Sequence, residues 1–122
     1  MSVDERFPRA ARLLQRAEFE GVLRTPEWRA SNRYFRISAR QNGCGRPRLG
    51  LAVPKRVLRR ATQRHRVKRI IRESFRVRQA ALPDRDFVVG VRGAVAEADN
   101  ATLFSALEEL WAHARGRPCD GS

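Results

Sequence analysis

The sequence predicts an α+β fold: a small two-layer sandwich in which helices pack on a mixed sheet of about three or four strands. Two short segments alternate apolar and polar residues with the period of a strand. A third is almost wholly apolar, as a central strand tends to be. Three further segments space their apolar residues three and four apart, as amphipathic helices do. At 122 residues the chain suits one domain, expected over residues 1–115 with a flexible tail over 116–122.

The first helix is short. Phe19, Val22 and Leu23 share a face of Ala17–Leu23, and Thr25-Pro26 stops it because a residue before proline is pushed out of the helical region. Arg33–Arg40 reads as the first strand. Phe35, Ile37 and Ala39 point one way, and Tyr34, Arg36, Ser38 and Arg40 form a polar, basic face. Asn42-Gly43-Cys44-Gly45 turns the chain and Pro47 closes the turn. In Arg48–Val53, Leu49, Leu51 and Val53 take one side, while Gly50 and Ala52 leave open space above the other. These two strands are expected to pair as an antiparallel hairpin with a long loop. Pro54 ends the second strand.

The strongest helix runs from about Ala61 to Arg78. Val67, Ile70, Ile71, Ser74 and Phe75 fall on one face, and at about 100° per residue Lys68, Arg69, Arg72 and Arg76 fall opposite, with His65 beside them. Leu82-Pro83-Asp84 is a turn, and Phe87–Val91 a buried central strand. Asp99-Asn100 can cap the last helix, since either side-chain oxygen accepts from the free N–H groups of a first turn. Leu103, Leu107, Leu110, Trp111 and Ala114 make its apolar stripe, with Phe104 at the edge; Trp111 and Phe104 are assigned to the core. The order is helix, strand, strand, helix, strand, helix.

Charge narrows the function. Lys and Arg number 26 against 13 acids, a formal net charge of +13. The 24 residues Lys55–Arg78 hold eleven of the basic residues and a single acid, Glu73, so +10 lies in one fifth of the chain. Arg59 and Arg60 precede the helix, and Arg64 and Arg66 stand in its first turns, where positive charge opposes the helix dipole by a few tenths of a kcal/mol each. Only Arg69–Glu73 is placed for a compensating i,i+4 pair. A polyanion would relieve this repulsion, and a phosphate would receive both guanidinium forks and helix N–H groups. Major-groove DNA readers carry Asn, Gln or Ser among the basic residues, and this helix offers only Gln63 and His65. Phe19, Tyr34 and the open Gly50/Ala52 surface suit a single strand in a basic groove. RNA is the expected partner, with no DNA and no membrane. The alternative is a structural RNA-binding protein of ribosomal type.

Protein-borne catalysis is not expected. His65 and His113 lie at the start of one helix and the end of another, and the acids are scattered. Asp84 and Asp86 are assigned to turn and cap duty. Cys44 and Cys119 have no partner at ligand spacing, so no protein metal site is expected and both are read as free thiols. Charged residues within Met1–Arg12 argue against a signal peptide, and no run approaches the ~18 apolar residues of a membrane span. A cytoplasmic location follows as an expectation.

At the basic segment the sequence resembles the protein subunit of bacterial ribonuclease P, in its proteobacterial form. The family signature, Arg-Asn-Arg leading into a basic amphipathic helix, is matched by Arg64-His65-Arg66 followed by Val67-Lys68-Arg69-Ile70-Ile71-Arg72-Glu73-Ser74-Phe75-Arg76. Gly50-Leu51-Ala52-Val53-Pro54-Lys55-Arg56 resembles the strand leading into it. Phe7-Pro8-Arg9, Arg12-Leu13-Leu14 and Glu18-Phe19 are similar to the family's N-terminal region. Asp86-Phe87-Val88-Val89, Asp99-Asn100 and Leu107-Glu108-Glu109-Leu110-Trp111 are similar to its C-terminal half.

The resemblance implies a small partner of a catalytic RNA, in a complex that hydrolytically removes the 5′ leader of precursor tRNA with magnesium held mainly by RNA. It implies a left-handed β-α-β crossover, against the general right-handed preference. It implies that Arg60, Arg64, His65, Arg66, Lys68, Arg69 and Arg72, with Arg59 beside them, meet the catalytic RNA. Phe19, Leu23, Arg36, Ser38, Ala52 and Lys55 would line the leader cleft. His65 stands where the family has Asn; imidazole also donates and accepts, but it is bulkier and gains charge at low pH. Leu23, Arg36 and Ser38 stand where some relatives carry aromatic residues, which would leave stacking to Phe19.

Overall fold

The computed structural model describes residues 16–42 and 45–116. Helix α1 spans Arg16–Arg24, strand β1 Trp28–Ser31, β2 Phe35–Gln41 and β3 Arg48–Ala52. Helix α2 spans Ala61–Arg78, β4 Arg85–Val91 and α3 Asn100–Gly116. Short 3₁₀ turns at Gln79–Ala81 and Gly93–Glu97 flank β4. The N-terminal motif at Phe7–Leu14, both cysteines and the tail beyond Gly116 lie outside the described residues. Among the described residues no helix is long and apolar enough to cross a membrane.

The four strands form one mixed sheet in the order β1-β2-β4-β3. The expected β2–β3 hairpin is not formed. β4 stands between them, antiparallel to β2 and parallel to β3. The reason is burial: Phe87 and Val89 are fully buried towards one face and Val88 is 1% exposed towards the other, so the backbone N–H and C=O groups along both edges of this strand are shut off from water and need strand partners. Parallel pairing requires a long crossover, and α2 supplies it. β1, unforeseen in the sequence, pairs antiparallel with β2 from Trp28↔Ala39 to Ser31↔Arg36 and extends the sheet.

Helices α2 and α3 cover one face. Val67, Ile70, Ile71 and Phe75 of α2 meet Leu103, Leu107, Leu110, Trp111 and Ala114 of α3 over Phe35, Ile37, Ala39, Leu49, Phe87 and Val89. Phe87 and Trp111 meet edge to face with ring centroids 5.6 Å apart, and Phe75 packs 5.7 Å from Trp111. The buried Trp111 Nε1 donates to Ser74 Oγ at 2.9 Å, which explains a serine on the apolar face of α2. Asp99 Oδ1 accepts from the backbone N–H of Thr102 at 2.8 Å, capping α3. Asn32 closes the β1–β2 turn by accepting from the N–H groups of Tyr34 and Phe35, while its Nδ2 donates to Ala106 O and Glu109 Oε1 of α3.

Helix α1 covers part of the opposite face and buries Val22. Ser38, expected on an open polar face, is 5% exposed there. An ion-pair cluster fixes α1 to the sheet. Arg48 of β3 grips Asp86 of β4 with two hydrogen bonds, Nε–Oδ1 at 2.8 Å and Nη2–Oδ2 at 3.1 Å, and Nη2 also reaches Glu18 of α1 at 3.1 Å. Asn42 Nδ2 donates to the same Asp86 at 2.9 Å. Asp86 is therefore the acceptor that joins β3 to β4, a role beyond the turn duty expected of it. At the far end of α1, Arg40 Nη1 donates to Gly21 O and to Thr25 Oγ1.

Candidate nucleic-acid interface

The alternation of the strands sends Arg36, Ser38, Val88, Gly90 and Ala52 to the face that α1 only partly covers. Register aligns Arg36, Gly90 and Ala52 across three strands, with Ser38 opposite Val88 in the next row. A cleft of about 380 Å³ opens above this floor, bounded by Leu23 of α1, by Arg29 of β1 and by Pro54, Arg56 and Val57 of the loop after β3. Its floor is made of small or branched side chains, and Arg29, Arg36 and Arg56 are all exposed around it. The open space read from Gly50 and Ala52 is thus a real cleft, although Ala52 and Gly90, not Gly50, line it.

Of the six residues assigned to this cleft by resemblance, Leu23, Arg36, Ser38 and Ala52 come together along it. Phe19 and Lys55 do not line it. Phe19 is half-buried on α1, and Lys55 is exposed beside Pro54. Tyr34 is also elsewhere, packed against the core at the β1–β2 turn with the Arg33 guanidinium 5.8 Å from its ring centroid. Among the described residues the cleft therefore has a basic rim and no aromatic side chain in its lining. Arg29 and Arg56 were missed. Arg29 belongs to a strand visible only through its pairing, and Arg56 was counted with the basic segment.

The basic helix follows directly. Its apolar face is buried as the spacing predicts, at Val67, Ile70, Ile71, Ser74 and Phe75. Arg59, Arg60, His65, Arg69 and Arg72 are exposed, and Arg64, Arg66 and Lys68 are partly buried. No side chain caps the helix at Arg60, and no acid stands in its first turn, so the positive dipole end and the arginines face the same solvent. Glu73 does not pair with Arg69. It pairs with Arg76, accepting on both carboxylate oxygens, and that bond holds its carboxyl below the usual range. The acid precedes its partner in this pair, the orientation that agrees with the helix dipole. Arg69 is left without an ion pair among the described residues.

Two arginines of the motif also serve the chain itself. Arg64 Nη1 donates to the backbone oxygens of Leu58 and Arg59, both at 2.9 Å, and so braces the turn into α2. Arg66 donates from Nε to Gln63 Oε1 at 3.2 Å, from Nη1 to Asn100 Oδ1 at 2.7 Å and from Nη2 to Val95 O at 3.2 Å.

Comparison with known proteins points to one family. The family model described as ribonuclease P matches residues 7–115. A ribonuclease P protein component of Halorhodospira halophila is 88% identical over 122 residues, covering both chains in full. That of Pectobacterium atrosepticum is 49% identical over 105 residues, covering 86% of this chain and 87% of its own. Among solved structures, a Staphylococcus aureus RNase P protein mutant with defective mRNA degradation activity superposes with a TM-score of 0.80 at 27% identity, over 88% of this chain and 90% of that one. The Thermotoga maritima RNase P protein does so with a TM-score of 0.73 at 31% identity, over 84% of this chain and 96% of that one.

Proposed function

This chain belongs to the ribonuclease P protein family, and from that premise we propose that its two basic surfaces divide the work of maturing the 5′ end of tRNA. The exposed face of α2, with Arg59, Arg60, Arg64, His65, Lys68, Arg69 and Arg72, docks the catalytic RNA. The cleft between α1 and the sheet holds the 5′ leader of precursor tRNA. Arg29, Arg36 and Arg56 meet leader phosphates, and the floor of Ser38, Val88, Gly90 and Ala52 supports riboses and bases.

The observation that carries this reading is the separation of the two surfaces. One is a helix face on which Arg69 and Arg72 stand exposed, with Glu73 as the single acid of the helix, paired to Arg76. The other is a recess of about 380 Å³ with a basic rim. A catalytic RNA is a large folded polyanion, met through phosphate and shape. A leader is a single strand, met in a groove. The described lining, basic at the rim and small on the floor, supports contacts from the arginines to the leader backbone.

Bond cleavage is assigned to the RNA partner, and the magnesium ions of the holoenzyme mainly to RNA oxygens. A rim of guanidinium groups repels a divalent cation and attracts the phosphates that would carry one. The work is placed in the cytoplasm, with the precursor tRNA. The test is leader removal from precursor tRNA by a bacterial ribonuclease P RNA at limiting magnesium, with and without the purified chain. Stimulation of the RNA is expected; the same rate with and without the chain would defeat the proposal.

A further inference from the structure

Arg66 sits in the middle of the basic motif, yet three of its nitrogens are bonded to the chain itself. Gln63 Oε1 takes Nε, Asn100 Oδ1 takes Nη1 and Val95 O takes Nη2. The last two acceptors lie 34 and 29 residues along the chain, at the start of α3 and in the Gly93–Glu97 turn. Their chemistry is matched to the task. Asp99 performs the capping of α3 with its own carboxylate, so the neighbouring Asn100 oxygen is left for Arg66. A guanidinium has five N–H donors in a fixed planar fork, and here at least three are committed before any RNA arrives. Arg69 and Arg72, one and two turns further on, are exposed.

We propose that Arg66 is a positioning residue: it latches the first turns of α2 to the start of α3 and sets the angle at which the exposed arginines meet the RNA, without itself neutralising a phosphate. The latch acts where α2 has no capping side chain, so it substitutes a tertiary tie for a local one. The inference rests on the reading that α2 docks the catalytic RNA.

The experiment measures the affinity of the full chain for a bacterial ribonuclease P RNA across a salt series, for the unsubstituted protein, Arg66→Ala, Asn100→Ala, the double variant and Arg69→Ala. A direct phosphate contact contributes about 0.7 to 0.9 to the slope of log affinity against log salt. The latch predicts that Arg66→Ala and Asn100→Ala each weaken binding roughly three- to tenfold, that the double variant is no weaker than Arg66→Ala, and that the slope is unchanged in all three. Arg69→Ala should lower the slope. Should Arg66→Ala fail to fold, Asn100→Ala still decides, because it removes the acceptor without altering the motif's charge. A slope reduced at Arg66 as much as at Arg69, or unchanged binding in Asn100→Ala, would overturn the latch. Salt-insensitive binding by the unsubstituted protein would instead overturn the docking reading, and the latch's role with it.

Discussion

Replacing Arg48 with Met should destabilise the fold sharply, although Arg48 stands on neither proposed RNA surface. Met keeps most of the aliphatic volume and removes the guanidinium. The Asp86 side chain, 8% exposed, then loses both of its bonds to Arg48 and keeps the one from Asn42. Breaking a buried ion pair from one side costs about 3–5 kcal/mol because a charge is left uncompensated. The remaining Asn42 donor argues for the lower end, ~3 kcal/mol. For a domain of this size that corresponds to a fall in Tm of about 12 °C. Glu18, whose side chain is 34% exposed, contributes far less to the cluster; Glu18→Gln should cost under about 1 kcal/mol. The asymmetry is the informative part. Arg48→Met combined with Asp86→Leu removes both charges and should be more stable than Arg48→Met alone. Thermal unfolding followed by circular dichroism measures the unsubstituted protein, Glu18→Gln, Arg48→Met, Asp86→Leu and the double variant. A loss under about 1 kcal/mol for Arg48→Met, or a double variant at the sum of the two single losses, would refute the account of Asp86 as a buried charge held by Arg48.

Three further outcomes follow from other parts of the molecule. Ser74→Ala strands the buried Trp111 N–H and should cost about 1–3 kcal/mol, seen as a lower urea midpoint at unchanged m; a loss under about 0.5 kcal/mol would show the bond to be dispensable. A Cβ at Gly90 meets nothing nearer than 3.8 Å, so Gly90→Val should fold normally while its methyls occupy the cleft floor; affinity for leader-bearing precursor should fall and affinity for mature tRNA should hold, and equal effects on both would count against leader binding there. The Asp99 carboxyl is held below its ordinary value, first by the Thr102 side chain and then by the Thr102 backbone N–H. Its charged form therefore contributes stability above the ordinary aspartate range of about 4 that is lost as pH falls through the lowered value. The Tm difference between the unsubstituted protein and Asp99→Asn should shrink on acidification, and a constant difference would contradict the assignment.

The helices were legible because their signals are local. Every residue assigned to the apolar face of α2 is buried, and Asp99 caps where its side-chain chemistry suggested. Strand order was not legible. Asn42-Gly43-Cys44-Gly45 looks like a hairpin turn, and nothing nearby says that Phe87–Val91, more than forty residues on from β2, will insert between the strands it joins. β1 is four residues long and owes its strand character to β2. The site divides in the same way. Of the small residues that open the cleft, Ala52 could be read from alternation, but Gly90 lay in an apolar run without alternation, and the rim needed the sheet order to bring Arg29 and Arg56 to the same recess. Counting charge located the basic helix, yet a count cannot separate an arginine facing solvent, as at Arg69, from one bonded to three acceptors of the chain itself, as at Arg66.

The central claim is that docking and leader recognition reside on different surfaces, and one reconstitution tests it. With a ribonuclease P RNA at limiting magnesium, affinity for the RNA subunit and the preference for leader-bearing over mature tRNA are measured for Arg69→Ala/Arg72→Ala and for Arg36→Ala/Arg56→Ala. The first pair should weaken docking and lower its salt slope by about 1.4 to 1.8, with the leader preference intact. The second should leave docking nearly unchanged and reduce the leader preference. Both pairs lowering both quantities alike would contradict the division of labour.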